Sequence, residues 1–171
     1  MSRLRRCASA ARDRERLGRW VAALAFAAVF AFPLPSLADP TETKPGAAAS
    51  DPDYAAGKQA LDRKDWGEAA RRFGQAALRD PDNADLQNYL GYAYRNAGRL
   101  ELAFKHYQRA LQLNPRHRGA HEYIGEAYLI ANDLASAERH LSALEKICLI
   151  PCEEYEDLKK AIAEYRRRAA K

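Results

Sequence analysis

The sequence lacks the short motifs by which the common classes of enzyme are recognised. It has no glycine-rich phosphate loop, no His-Glu-x-x-His zinc motif, no Gly-x-Ser-x-Gly nucleophile turn and no carboxylate pair with helical support. These absences argue against nucleotide hydrolysis, zinc-dependent hydrolysis and serine-type acyl transfer. We therefore expect a protein that is not an enzyme, with no catalytic residue, no metal site and no cofactor.

The chain also lacks an apolar run long enough to cross a bilayer as a helix. Its longest run, from Trp20 to Phe32, has 13 residues (32 − 20 + 1), whereas a spanning helix needs about 20. Seven arginines precede this run and Ser36-Leu37-Ala38 follows it. This order is typical of a secretory signal peptide over residues 1–38, cut after Ala38. The expected location is periplasmic or secreted, and the alternative is an inner-membrane protein anchored by an uncleaved amino-terminal segment.

The exported part of the chain has no excess of charge of either sign. The whole sequence has 28 Lys+Arg and 23 Asp+Glu. Residues 1–38 contain seven basic and two acidic residues, which leaves 28 − 7 = 21 and 23 − 2 = 21. Bulk attraction to nucleic acid or to anionic lipid is therefore not expected, and neither is membrane binding after cleavage.

Cysteine is scarce, because only Cys148 and Cys152 remain once Cys7 leaves with the signal peptide. An even count in an oxidising compartment favours a disulfide between them, at the joint between the last repeat and the capping helix described below. Two alternatives stay open. A thiol-redox pair is one, although three residues separate the cysteines where thioredoxin-like motifs have two. A soft-metal site is the other, although no histidine or methionine lies nearby in sequence.

The most informative feature present is a pattern that recurs every 34 residues, as in 103 − 69 and 137 − 103. The equivalent positions are Ala69, Ala103 and Ala137; Phe73, Tyr107 and Leu141; Ala76, Ala110 and Leu144; Gly57, Gly91 and Gly125; and Pro81 and Pro115. A period of this length is typical of one helical hairpin copied along the chain, with each copy burying its apolar face against its neighbours.

This pattern resembles the tetratricopeptide repeat. Leu90-Gly91 with Tyr94 matches the first helix of that repeat, and Ala103, Tyr107, Ala110 and Pro115 match the second. The resemblance covers residues 51–151 as three copies, about 50–83, 84–117 and 118–151. It implies an all-α fold in which three tandem helix-turn-helix repeats form a right-handed superhelix. Proteins of this family hold partner proteins, so the resemblance implies an interaction scaffold for a protein or peptide segment of the cell envelope.

The remaining segments are assigned by composition and periodicity. Residues 39–50 have no apolar period and are expected to form a flexible linker. Residues 152–171 are expected to form a capping helix, whose apolar stripe is Tyr155, Leu158, Ile162 and Tyr165.

Particular residues are expected to shape each repeat. Gly98 is expected to take the left-handed conformation that ends the first helix of the second repeat. The repeated glycines are expected where the two helices of a pair approach closely, and Phe73 and Tyr107 between successive pairs. The four histidines show no ligand spacing, so solvated or rim positions are expected for His106, His117, His121 and His140.

The resemblance places partner binding on the concave surface formed by the first helix of each repeat. The positions it marks are Tyr54, Lys58, Asp62, Asn88, Tyr92, Arg95, Asn96, Glu122, Glu126 and Ile130. We expect Tyr54 and Tyr92 to anchor a partner segment, and Asn88 and Asn96 to meet its backbone. Some relatives grip a terminal carboxylate with a lysine where Tyr54 stands here, so that mode of recognition is not predicted. Binding of a second copy of the chain is the alternative.

Overall fold

The structure is a computed structural model that describes residues 50–170, and within that range it contains seven α-helices and no strand. The helices are α1 (Pro52–Asp62), α2 (Trp66–Arg79), α3 (Ala84–Asn96), α4 (Leu100–Leu113), α5 (Arg118–Ile130), α6 (Leu134–Ile147) and α7 (Glu153–Ala169). The predicted all-α fold of three helix-turn-helix repeats and a capping helix is confirmed. The predicted signal peptide, 1–38, lies outside the described residues, as does the predicted linker except for Ser50.

The 34-residue period reappears in the positions at which the helices begin and end. The second helices begin at Trp66, Leu100 and Leu134, and 100 − 66 and 134 − 100 both equal 34. The first helices end at residues 62, 96 and 130, again 34 apart. Each unit therefore folds by the same local rules, as expected when one hairpin has been copied.

The turn inside each repeat uses one residue with a left-handed backbone at the same position. These residues are Lys64 with φ of 57°, Gly98 with φ of 75° and Asn132 with φ of 60°. The expectation for Gly98 is confirmed, since glycine has no Cβ to clash in this region. Lysine resists this conformation and asparagine tolerates it better, so the three turns differ in backbone strain although they share one shape.

The helices pack as successive pairs around small residues. Helix α1 packs on α2, α3 on α4 and α5 on α6, while α2 and α4 contact the first helix of the next pair. A Cβ atom on Gly91 would stand only 2.5 Å from Cδ1 of Tyr107, which is fully buried. The ring of Tyr107 also lies 6.4 Å from that of Tyr123 on α5. Both expectations hold here: the glycine allows close approach within the pair, and the ring fills the space up to the next pair.

The third repeat departs from this pattern because its glycine faces the capping helix. A Cβ atom on Gly125 would stand 2.6 Å from Cδ2 of Leu158 on α7. The expectation that Gly125 is approached closely within its own pair, as Gly91 is, finds its close contact in α7 instead. Leu158 and Ile162 are buried against Ala137 and Leu144, so α7 covers the end of the array with the apolar stripe predicted for it.

A polar contact joins the two helices of each repeat at one repeated pair of positions. It is an ion pair between Arg72 and Asp53 in the first repeat, at 2.9 Å. In the second repeat His106 Nδ1 lies 2.9 Å from Oε1 of Gln87. In the third repeat the equivalent residues (106 + 34 and 87 + 34) are His140 and His121, whose Nδ1 atoms lie 2.9 Å apart. Three different residue pairs therefore connect the helices at one site of the repeat.

The expectation of solvated or rim histidines is wrong for His117 and His121, which are both buried. His117 caps α5, because its Nδ1 accepts a hydrogen bond from the backbone N–H of Ala120 at 3.1 Å. Its other ring nitrogen lies 2.9 Å from Oδ1 of Asp85 on α3. Histidine serves here as a helix cap and as a connection between repeats, which its isolated position in the sequence does not reveal.

Within residues 50–170, none of the helices combines the length and the hydropathy that a membrane-spanning segment needs.

Candidate partner-binding groove

The first helices of the repeats lie side by side and form one continuous surface. Helix α3 contacts α5 directly, and α5 contacts α7. We call the surface lined by α1, α3, α5 and α7 the groove. Most of the residues that the sequence analysis marked fall at two repeated positions: Tyr54, Asn88 and Glu122 are 34 apart, as are Lys58, Tyr92 and Glu126. One helical hairpin geometry thus presents different chemistry in each repeat.

At the α1 end of the groove, aromatic rings form part of the packed interior. The ring of Tyr54 meets those of Phe73 and Tyr89 edge-on, each at a centroid distance of 5.9 Å. Burial raises the pKa of the Tyr54 hydroxyl to about 12. Lys58 lies over the ring of Tyr89, with Nζ 4.5 Å from the centroid and 3.2 Å from the hydroxyl oxygen. Tyr54 and Lys58 therefore help to join α1 to α3, and both remain partly exposed.

At the centre of the groove, Arg95 is held between two aromatic rings. Its guanidinium carbon lies 5.2 Å from the ring centre of Tyr92 and 5.3 Å from that of Tyr123. It also donates to the backbone carbonyl of Tyr123 at 3.3 Å and forms an ion pair with Glu126. The Arg95 side chain is only 9% exposed. Stacked and ion-paired in this way, Arg95 is a fixed, preorganised part of the groove.

The two asparagines are used differently. Asn88 is 5% exposed, and its Oδ1 has no hydrogen-bond partner in the part of the chain that the structure describes. Asn96 is exposed, and its Nδ2 donates to the backbone carbonyl of Tyr92, one turn earlier on the same helix, at 2.8 Å. Contact of these two side chains with a partner backbone stays a prediction, and Asn96 is the more accessible of the two.

Glu122 is the most unusual charged residue of the groove. It is 8% exposed. Burial first, and then the negative charges of Glu126, Asp157 and Glu154, raise the pKa of its carboxyl to about 8, while Arg95 acts in the opposite direction. Between residues 50 and 170 no hydrogen bond or ion pair reaches this carboxylate. The pKa of this carboxyl is therefore strongly perturbed, and groups with perturbed pKa values cluster at functional sites.

Between α3, α5 and α7 the groove deepens into a pocket of about 430 Å³. Its apolar part comes from Leu129, Ile130, Ala161 and Tyr165, and its polar part from Arg95, Asn96, Glu126, Glu164 and Arg168. Ile130 is 59% exposed although it is a large apolar residue. Exposed apolar area beside charged groups is typical of a surface that receives a partner side chain.

Several of these groove residues are not among those that the resemblance marks. Tyr89 and Tyr123 are equivalent positions (123 − 89 = 34) and hold the cations Lys58 and Arg95. The period itself could have revealed them, since two tyrosines recur at one position of the first helix. Ala161, Glu164, Tyr165 and Arg168 on α7 could not have been found in this way, because α7 does not carry the repeated pattern.

The two cysteines lie where α6 ends and α7 begins. Cys148 and Cys152 are bonded through their Sγ atoms in the structure, and their Cα atoms lie 5.9 Å apart. Cys148 follows the last residue of α6, and Cys152 precedes the first residue of α7. No group of three or more histidine, cysteine or acidic residues that could hold a metal ion occurs within residues 50–170.

Comparison with known proteins identifies the repeat. The sequence model of the tetratricopeptide repeat family matches residues 54–115 and 105–148. No curated protein shows significant sequence similarity to the chain.

Several solved structures are similar in fold. The TPR2B domain of yeast Sti1, in complex with pHsp70, is 16% identical with a TM-score of 0.63, covering 68% of this chain and 94% of that one. The Sgt2 TPR domain from Aspergillus fumigatus is 21% identical with a TM-score of 0.62, covering 71% of this chain and 80% of that one. The Yersinia enterocolitica secretion chaperone SycD, in complex with a peptide of the translocator YopD, is 15% identical with a TM-score of 0.61, covering 75% of this chain and 97% of that one. At these identities the similarity shows the fold.

Proposed function

The chain belongs to the tetratricopeptide repeat family, and from that premise we propose that it is a non-enzymatic scaffold that binds a segment of a partner protein in its groove. The proposed partner is a protein or peptide of the bacterial envelope, and the proposed location is the periplasm. Binding requires no chemical step. The protein offers a preformed surface and the partner segment orders on it.

One observation supports this proposal most strongly: the centre of the groove is rigid, aromatic and open to solvent on one side. Arg95 is fixed by Tyr92, Tyr123 and Glu126, and the pocket beside it exposes Ile130. Arginine and tyrosine are enriched among the residues that dominate binding energy at interfaces. Preorganised side chains also lose little conformational entropy when a partner binds.

Solved structures with a similar fold also support the proposal that the groove binds a partner segment. Two of them were solved with a bound partner: the Sti1 domain with pHsp70 and SycD with a peptide of YopD. Repeats of this kind therefore can hold a peptide. The partners of those proteins are not transferred to this chain, because the shared identity is at or below 16%.

The proposed compartment gives the two cysteines a structural role. In an oxidising periplasm a disulfide between Cys148 and Cys152 would fix the direction in which α7 leaves α6. Because α7 forms one wall of the pocket, this joint would also hold the pocket open. The competing proposal is a thiol-redox or metal-binding accessory factor that acts through the same cysteines.

Replacing both cysteines with serine separates the two proposals. The scaffold predicts a loss of about 2 kcal/mol or less in the free energy of unfolding, with partner binding retained below the melting temperature. The accessory factor predicts loss of function in a protein that still folds and still binds its partner.

The scaffold proposal itself is tested by crosslinking in intact cells, with Ile130→Asp in the groove and Leu78→Asp as the matched control. Both residues are large, apolar and exposed, and Leu78 lies outside the groove on α2 at 76% exposure. We expect partner proteins that crosslink to the wild type and to Leu78→Asp to be lost with Ile130→Asp. Equal crosslinking by all three proteins would contradict the proposal. Cell fractionation and amino-terminal sequencing of the mature protein test the periplasmic location and cleavage after Ala38.

A further inference from the structure

We propose that the groove selects partner segments that carry a lysine or arginine side chain, which binds between Glu122 of α5 and Asp157 of α7. The inference rests on the scaffold function proposed above and names the chemistry of the partner.

Most charges around this part of the groove are already matched. Glu126 is paired with Arg95, Glu154 lies 3.7 Å from Arg118, and Glu164 lies 3.7 Å from both Arg167 and Arg168. In these pairs each glutamate has at least one arginine, and Glu164 has two.

Two acidic groups at this point of the groove have no such partner: Glu122, which is buried, and Asp157, which is exposed. In the described part of the chain neither carboxylate has a hydrogen bond or an ion pair. Glu122 is 8% exposed, and three acidic groups raise its pKa, namely Glu126 on its own helix and Asp157 and Glu154 on α7, whereas one cation, Arg95, lowers it. A carboxylate that is buried beside other carboxylates is costly to ionise unless a cation approaches it. A cationic side chain from a partner would pair with Glu122 as it ionises and remove that cost, with the exposed carboxylate of Asp157 beside it.

The apolar pocket lies close enough to be filled by the same segment. Glu126, which lines the pocket, is one helical turn from Glu122. From Glu122 to Ile130 the helix rises about 12 Å at 1.5 Å per residue. An extended segment covers that distance in about three or four residues, at about 3.3 Å per residue. The occupant is therefore an extended segment in which a basic residue stands three or four positions from a large apolar residue.

Electrostatic complementarity makes the proposal specific. An acidic segment would add a like charge beside Asp157, Glu154 and Glu126, the acidic groups around Glu122, which disfavours binding. An apolar segment without a cation would fill the pocket but leave Glu122 desolvated and unpaired. A basic and apolar segment avoids both problems.

The experiment is a selection from a random library of 12-residue peptides displayed on phage, against the purified full chain. Four immobilised proteins are compared: the wild type, Glu122→Gln with Asp157→Asn, Ile130→Asp, and Glu101→Gln as a control on α4. Glu101 is an exposed glutamate outside the groove. Dissociation constants of selected peptides, and of copies with the basic residue changed to glutamine, are then measured by fluorescence anisotropy at two salt concentrations.

We expect the wild type and Glu101→Gln to enrich peptides with a basic residue three or four positions from a large apolar one. Changing that basic residue to glutamine should weaken binding about tenfold to the wild type and less than twofold to the doubly substituted protein. Raising the salt concentration should weaken binding of the basic peptides to the wild type. Circular dichroism checks that each variant is folded.

Two other results would overturn the inference in different ways. Enrichment of uncharged or acidic peptides that depends on Ile130 would refute the preference for a basic residue and would leave the scaffold function supported. If the groove substitutions leave peptide binding unchanged, or if no peptide is enriched, both the preference for a basic residue and the use of this groove for binding are refuted.

Discussion

Replacing Glu122 with glutamine should stabilise the protein at neutral pH. The substitution keeps the size of the side chain and removes an ionisable group whose pKa is raised from 4.5 to about 8 in the folded chain. Between those values the folded state binds more protons than the unfolded state. The stability of the wild type therefore falls as pH rises from about 4.5 to 8, and Glu122→Gln removes this fall.

The size of the effect follows from the same shift. One pKa unit corresponds to about 1.4 kcal/mol, and at pH 7 about 2.5 units of the shift have been crossed. The free energy of unfolding of Glu122→Gln should then exceed that of the wild type by about 3 kcal/mol at pH 7 and by about 1 kcal/mol at pH 5. For a domain of this size, 3 kcal/mol raises the melting temperature by about 10 °C.

The measurement is urea denaturation followed by circular dichroism at pH 5, 6, 7 and 8, with Glu101→Gln as the control. Glu101 is exposed, so its substitution should leave the pH dependence of stability unchanged. If the stabilities of the wild type and of Glu122→Gln change with pH in parallel, Glu122 is solvated or paired. The proposed binding of a cation at Glu122 would then also be refuted. A stabilising substitution that weakens binding of a basic peptide would instead show that the residue serves binding at a cost in stability.

Three further predictions test the fold. Burial and a neighbouring histidine lower the pKa of His140 to about 4, so stability should fall as pH drops from 6.5 to 4 by about 3 kcal/mol, and His140→Asn should reduce this fall in the same urea titrations. Gly91→Ala should destabilise the protein by about 1 to 3 kcal/mol, because its Cβ would stand 2.5 Å from the ring of Tyr107. The matched Gly74→Ala, whose Cβ meets nothing within 4 Å, should raise the melting temperature slightly. Lys64→Gly should stabilise by about 1 kcal/mol, because residue 64 has a φ of 57°; a lower melting temperature would contradict this.

Much of the fold could be predicted from local patterns in the sequence. The spacing of alanine and aromatic residues fixes the face that each helix buries, and Gly98 and Asn114-Pro115 mark where helices end. The order of the helices and the close approach at Gly91 follow from these patterns because a helix period of 3.6 residues is a local property of the chain.

The candidate site could be predicted only in outline. The repeat identified the first helices as the binding surface, and it marked Arg95, Glu122 and Ile130. It did not show that Arg95 is stacked between two tyrosines, because one of them, Tyr123, belongs to the next repeat. It also did not separate a buried asparagine, Asn88, from an exposed one, Asn96, since burial depends on the neighbouring repeat as much as on the helix itself.

The sequence by itself determined the repeat, the helices and the family, since all three depend on the spacing of residues along one chain. Tertiary structure alone decided which helix covers Gly125, which groups surround Glu122 and where the pocket lies. In each case the deciding element is α7, which lacks the repeated pattern and meets α5 only through packing. The environment of a charge is set by distances between segments, and those distances come from how whole helices pack rather than from the order of residues within one of them.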